Sequence, residues 1–439
     1  MKVLVIGSGA REHAIARALH RSPSEVALYA YVQSHHPGII SLATAYQVGD
    51  MICVPDIVAA AMRWQVDLAI IGPEAPLAQG LADALWQAAI PVIGPTKTLA
   101  RIETSKAFAR GLLQKYAIPG AVRFQTFHDM RGVEEFLQDL GKEGFVIKAD
   151  GLMGGKGVKV AGDHLHSFTE AWHYCQQLYD EGHAFIIEEK LIGQEFSLMG
   201  FCDGHTLTPM PVVQDHKRAF VDDRGPNTGG MGSYTDANHS LPFLTAHDVA
   251  QAQKINELTI AALQQECGEK YIGILYGSFI ATRHGVAVIE FNARFGDPEA
   301  LNVLSILETD FVVICAAMIE GNLAITPVEF SSLATVCKYV VPEGYPDNSV
   351  KNSVIDVAAV QDKSHLYLAA VSEVAGKIQA LGSRAAAVVG IASTLVEAEV
   401  LAEEEVRRIK GQVFHRADIG TAALIQRRIA QIQNLRAGV

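Results

Sequence analysis

Cysteine is scarce and unpatterned. The 439 residues contain six, at positions 53, 175, 202, 267, 315 and 337. No two are spaced as the CxxC pairs of zinc sites and thiol redox motifs are, so neither chemistry is indicated, and in a chain this long they read as reduced thiols. Positive charge is also in deficit: 36 Lys and Arg against 48 Asp and Glu give a formal charge of −12. A basic footprint for nucleic acid is therefore missing, although a single cavity can still be locally positive. Long apolar runs are missing as well. The run Met1–Gly7 is too short for a signal peptide, and Phe311–Ile319 is about half a bilayer span, so it reads as a buried helix. The histidines lack ligand spacing, and no Gly-x-Ser-x-Gly elbow offers a serine nucleophile. These absences describe a cytoplasmic protein with neither a membrane nor a nucleic-acid partner.

What is present is ordinary globular material, 49% hydrophobic and 19% charged. Residues 2–6 are an apolar run ending in glycine, as in a buried parallel strand. A helical stretch follows from about Arg11 to Arg21. Leu68–Ile71 and Val92–Ile93 repeat the strand-then-Gly-Pro pattern, with a helix-like stretch Ala78–Ala89 between them. Alternation of this kind predicts an open parallel sheet, whose ligands bind outside the carboxyl ends of the strands. After Gly94-Pro95-Thr96 the pattern changes. Thr104–Tyr116 reads as a helix capped by Thr104 or Ser105. Short strands and helices then mix in a compact α+β lobe up to about Leu198, and a second α+β region runs to Leu323. The last hundred residues hold strands Ala334–Val341 and Ala385–Ile391 and a helix Leu395–Arg408. Asp222–Gly232 reads as a loop.

Five segments carry chemistry. Gly7-Ser8-Gly9 follows a strand and opens a helix, so its backbone N–H groups can face a phosphate; a dinucleotide fingerprint needs a third glycine where Glu12 stands, and the bland alternative is a tight turn alone. Lys148-Ala149-Asp150-Gly151-Leu152-Met153-Gly154-Gly155-Lys156-Gly157 has four glycines in seven residues, a loop able to lie on phosphates, but it misses the P-loop spacing; a structural hairpin is its alternative. Glu188-Glu189-Lys190-Leu191 ends a strand and can offer groups to an adenine edge, with Glu195 near a ribose, or is merely a solvated acidic end. Glu290 and Asn292 point the same way along a strand, which suits Mg²⁺, and Arg294 beyond them can clasp a carboxylate; otherwise this is a strand with a polar face. Gln214–Arg218 and the glycine loop Gly225–Gly232 can carry an anionic or zwitterionic substrate, or form a surface loop.

In this order the segments resemble the ATP-grasp superfamily, and within it the phosphoribosylamine–glycine ligase (glycinamide ribonucleotide synthetase) family. The resemblance rests on GSGAREHA at 7–14, IGPEAPL at 71–77, ETSKAF at 103–108, KADGLMGGKGV at 148–158, QDHKR at 214–218, GPNTGGMG at 225–232, IEFNARFGDPE at 289–299 and RADIG at 416–420. It implies a Rossmann-like pre-ATP-grasp domain over 1–101, an ATP-grasp domain over 102–328 whose lid lobe spans about 124–194, and a C-terminal domain over 329–439. It implies ATP-driven joining of glycine to 5-phosphoribosylamine through a glycyl phosphate, in purine biosynthesis, by a monomer or homodimer.

By the resemblance, Lys106, Lys148 and Gly154, Gly155, Lys156 and Gly157 hold the phosphates. Glu188, Glu189 and Leu191 hold adenine, and Glu195 the ribose. Glu290 and Asn292 hold Mg²⁺ or Mn²⁺. Arg294, Lys217, Gly229 and Gly230 place glycine or its acyl phosphate, and Asp215 orients the amine. Gly7, Gly9, Arg11 and Glu74, with Arg384, receive the phosphoribosyl part. Arg294, Asp215 and Lys148 are the catalytic candidates. The chain departs from the family pattern at Gln33–Ile39, at Ala300-Leu301 and at Ser383. Competing readings are a ligase for another amine or amino acid, a non-catalytic nucleotide-binding protein, and a dehydrogenase, which Glu12 disfavours.

Overall fold

The structure, a computed structural model, describes residues 1–153 and 157–438. The first five strands are β1 (Lys2–Ile6), β2 (Ala27–Val32), β3 (Ala45–Val48), β4 (Leu68–Ile71) and β5 (Val92–Ile93). They form one parallel sheet in the order β3-β2-β1-β4-β5. Val3 to Ile6 are fully buried because helices cover both faces, which is why the strand is apolar throughout. The Gly7 turn and Gly72–Glu74 leave from the carboxyl ends of β1 and β4. The helix expected over Ala78–Ala89 is two helices, Glu74–Ala78 and Leu81–Gln87. Gly80 separates them at φ +82°, a left-handed conformation that ends a helix.

A small lobe follows, built from β6 (Phe124–Phe127), β7 (Phe145–Ala149), β8 (Val158–Val160) and β9 (Phe185–Glu189) in the order β6-β9-β7-β8. It has its own core, where Phe145, Ile147, Phe185 and Ile187 meet Leu137 and Leu178 of two helices. The strands after it are β10 (Gln194–Asp203), β11 (Leu207–Pro209), β12 (Gln214–Asp215), β13 (Arg218–Phe220), β14 (Arg224–Asn227), β15 (Gly232–Thr235), β16 (Ile272–Thr282) and β17 (Gly285–Asn292). Strands β11-β10-β16-β17 make an antiparallel sheet. Part of the loop expected over Asp222–Gly232 is β14, which pairs with β13 in a hairpin.

Strand β18 (Ala334–Pro342) is buried along its whole length. It pairs with the strand Ala386–Ala392 and, on its other side, with β15, Ser233 facing Cys337. β15 in turn holds β12. The C-terminal sheet therefore takes strands from both sides of residue 328, and the boundary expected there does not divide the sheets. A final helix, Ala422–Ala437, capped by Thr421, lies against β16 and β10 and was not foreseen. No helix of the described residues is long and apolar enough to cross a membrane.

Candidate active site

The helix Lys106–Lys115 begins under the small lobe. Ser105 caps it, accepting from the Phe108 N–H at 3.1 Å. Asp150, at the end of β7, accepts from the Lys106 N–H at 2.6 Å and from Ser105 Oγ at 3.1 Å, and Lys106 Nζ donates to the Gly151 carbonyl at 2.8 Å. A carboxylate at a helix N-terminus is favourable, and here it ties the start of the glycine loop to the helix that bears Lys106. Lys148 Nζ lies 2.8 Å from Glu188, and Arg110 grips both oxygens of Glu188 at 2.7 and 2.8 Å. Burial alone would raise the Glu188 pKa, but Lys148 and Arg110 outweigh it and hold it at about 2. The Glu188 carboxylate is thus held by protein partners, and with Glu189, Leu191 and Glu195 it lines one cavity.

On β17, Glu290 and Asn292 line the same cavity. Burial opposes ionisation of Glu290, yet Lys217, Lys148, Lys106 and Arg294 together lower its pKa. Arg294 is clamped by Glu103 at 2.9 Å and Glu74 at 3.3 Å, and donates to Asn292 Oδ1 at 3.3 Å. Burial works against its charge, but Glu103 and Glu74 raise its pKa further. The guanidinium is a fixed cation whose aim is set before any substrate arrives.

Half-buried Asp215 and buried Glu299 form a second acidic group. Tyr276 donates to Glu299 at 2.8 Å, and the His216 N–H to Asp215 at 2.7 Å. Burial, then the nearby Glu299 charge, pushes the Asp215 pKa well up. Gly230 sits at φ +109°, and a Cβ there would stand 2.5 Å from Asp215 Oδ1. Arg384 Nη1 donates to the carbonyls of Gly229 at 2.6 Å, Gly230 at 3.2 Å and Asp297 at 2.9 Å, and the guanidinium stacks 4.5 Å over Tyr339. The expected phosphate contact is therefore at least partly a strut for the glycine loop. Lys217 stands 3.6 Å from Glu195.

The N-terminal turn differs most from expectation. The Gly7 N–H donates to the Tyr31 carbonyl at 3.0 Å and the Gly9 N–H to Glu12 at 2.6 Å, so neither faces an open phosphate site. Gly7, Gly9 and Gly230 do not line the cavity. The other candidates that the structure describes do: Arg11, Glu74, Lys106, Lys148, Gly157, Glu188, Glu189, Leu191, Glu195, Asp215, Lys217, Gly229, Glu290, Asn292, Arg294 and Arg384, around a volume of about 850 Å³. Gly154, Gly155 and Lys156 lie outside the described residues. The divergent segment 33–39 is stitched in place: Gln33 N–H donates to Ser8 Oγ at 2.6 Å, Ser34 Oγ to the Val371 carbonyl at 2.8 Å, and His36 pairs with the Leu368 carbonyl at 3.1 Å. Sequence reasoning missed Glu103, Arg110, Asp150 and Glu299. Each stands in or beside a motif that was read for other residues, and only tertiary pairing reveals its task.

Three family models match the chain in order: phosphoribosylglycinamide synthetase N domain over residues 1–103, its ATP-grasp (A) domain over 104–300 and its C domain over 335–422. A phosphoribosylamine–glycine ligase of Methanosarcina barkeri is 49% identical over 436 residues, covering 99% of this chain and 100% of the relative. The crystal structure of a phosphoribosylamine–glycine ligase from Thermotoga maritima superposes with a TM-score of 0.80 at 27% identity, covering 95% of this chain and 100% of that one. A biotin carboxylase from Campylobacter jejuni shares the fold alone, with a TM-score of 0.71 at 12% identity over 99% of this chain and 95% of that one. With the same three modules in the same order and near half the residues shared end to end, the chain belongs to the phosphoribosylglycinamide synthetase family.

Proposed function

We propose that this cavity joins the carboxylate of glycine to the amine of 5-phosphoribosylamine, driven by ATP, giving glycinamide ribonucleotide, ADP and phosphate in purine biosynthesis. The observation that carries the reading is Glu290, an ionised carboxylate ringed by Lys106, Lys148, Lys217 and Arg294 in one cavity. Such a cluster suits a reaction in which an anion must approach a polyphosphate. The same reading gives a cytoplasmic enzyme of small molecules, with working boundaries at 1–101, 102–328 and 329–439.

Lys106 and Lys148 neutralise the nucleotide phosphates, and Arg294 aligns the glycine carboxylate. One carboxylate oxygen attacks the γ-phosphorus; that O–P bond forms as the bond to the ADP oxygen breaks. The amine nitrogen then attacks the acyl carbon, the C–N bond forms, and the C–O bond to phosphate breaks. The nitrogen sheds a proton, and the Asp215–Glu299 pair, with its raised affinity for protons, is placed to accept it. Gly229 lines the cavity and brings backbone close to the acyl group, while Gly230 behind it lets the loop pack against Asp215.

Glu290 and Asn292 fit a divalent cation, Mg²⁺ or Mn²⁺: one ionised carboxylate and one amide oxygen on the same strand face. Among the described residues no group of three His, Cys, Asp or Glu side chains comes together to hold an ion, so these two would share it with phosphate oxygens. When bound, such an ion supplies charge neutralisation at the phosphates. The test is ADP release by the purified protein with ATP, glycine and phosphoribosylamine generated in situ. Release that depends on both substrates is expected, and Glu290→Ala should lower it by about 10²–10³-fold. No glycine-dependent release by the wild-type chain would overturn the reading.

A further inference from the structure

Glu12 stands where a dinucleotide-binding turn has its third glycine. Its side chain is buried, and three glycines from two loops close around it. A Cβ on Gly7 would lie 2.5 Å from its Cγ, one on Gly9 2.7 Å from Oε2, and one on Gly72 2.1 Å from Oε1. Oε2 accepts the Gly9 N–H, and Oε1 accepts Arg11 Nε at 2.6 Å. Arg11 reaches on to the Phe295 carbonyl at 3.2 Å, the residue after Arg294, and lines the main cavity beside Glu74. The anion for which this turn is shaped is therefore part of the chain itself. The glycines serve a carboxylate, and the carboxylate holds a guanidinium by its inner edge.

We propose that Glu12 is a positioning residue for the amine substrate: seated in the Gly7–Gly9–Gly72 socket, it fixes Arg11 toward the oxygen-rich phosphoribosyl part and so sets affinity for that substrate alone. The proposal rests on the reaction given above. A glutamine at position 12 fills the same space, but its amide nitrogen must face either the Gly9 N–H or Arg11 Nε, donor against donor. One of the two bonds is lost together with the charge that orients Arg11.

The experiment measures KM for each of the three substrates in wild type, Glu12→Gln, Arg11→Gln and the double variant, with thermal unfolding of each. Expected is a rise of about tenfold or more in KM for phosphoribosylamine in both single variants, as for loss of one charge-assisted bond. KM for ATP and glycine should stay within about twofold, and the double variant should be no worse than Arg11→Gln, since coupled residues are not additive. Unchanged amine KM with a lowered melting temperature would reduce Glu12 to a helix cap and overturn the proposal, as would additive losses. If Glu12→Gln does not fold, the Arg11→Gln profile decides: an unselective loss overturns the proposal. A wild-type protein indifferent to phosphoribosylamine would instead sink the reaction assignment, a distinguishable result.

Discussion

At the scale of single residues, the site is a set of cations and carboxylates whose geometry the protein settles in advance. Arg294 is the clearest case, clamped by Glu103 and Glu74 so that its direction costs nothing when substrate arrives. Gly230 is another. Its left-handed backbone and the 2.5 Å approach to Asp215 leave no room for a methyl group. Gly230→Ala is expected to displace Asp215 or the loop and reduce kcat by about a hundredfold, the cost of misplacing a reacting group by about 1 Å; steady-state kinetics on the folded variant checks it. The positions of Glu290, Asn292 and Arg294 were legible because period-two alternation puts alternate residues on one face of a strand. The partners Glu103 and Arg110 were not, since nothing in their local spacing says that they will meet residues some eighty to two hundred positions away.

At the scale of elements, the short apolar strands and their glycine turns were readable from hydrophobic runs. So was the helix under Lys106, because Ser105 supplies a cap. The split at Gly80 and the hairpin β13–β14 were not, since both depend on where neighbouring elements press. The last helix buries only Leu424, Ile425 and Ile432 among polar residues, a weak stripe to find in a sequence. In the C-terminal sheet, Lys338 is wholly buried on β18, and Nζ lies 2.5 Å from Glu399 and 2.6 Å from Glu403 of the helix Leu395–Val406. Removing one member of such a group strands the others' charge. Lys338→Met should therefore destabilise the protein by about 3–5 kcal/mol, measured by denaturant unfolding, while the protein that remains folded keeps its kcat.

At the scale of the whole molecule, the ion-paired carboxylates make stability depend on pH. Buried Glu188 and partly exposed Glu74 are held at about 2 by Lys148 and Arg110 and by Arg294 and Arg11 respectively, against the desolvation that would raise them. In the unfolded chain such groups titrate near ~4.3. Between these values the unfolded state binds more protons, so stability rises with pH there and is lost as pH falls toward 2. Glu103, pushed up to about 7 by burial against the pull of Arg294, works the other way as pH rises from the carboxylate range. Melting temperature followed from pH 6 down to 3 should fall, and Glu188→Gln should fall less steeply over that range from a lower starting value; an unchanged slope would remove Glu188 from the account. The order of synthesis gives a different consequence of the sheet that spans residue 328. The strand that follows the Gly229-Gly230 loop pairs on one side with β12, but its other edge waits for Cys337, about a hundred positions after Ser233. A nascent chain thus carries Lys106 and Lys148 long before the strand after its glycine loop is held on both edges. Arg384, which holds the Gly229 and Gly230 carbonyls, also comes from the last quarter of the chain, so both late anchors of the loop arrive at the end of synthesis.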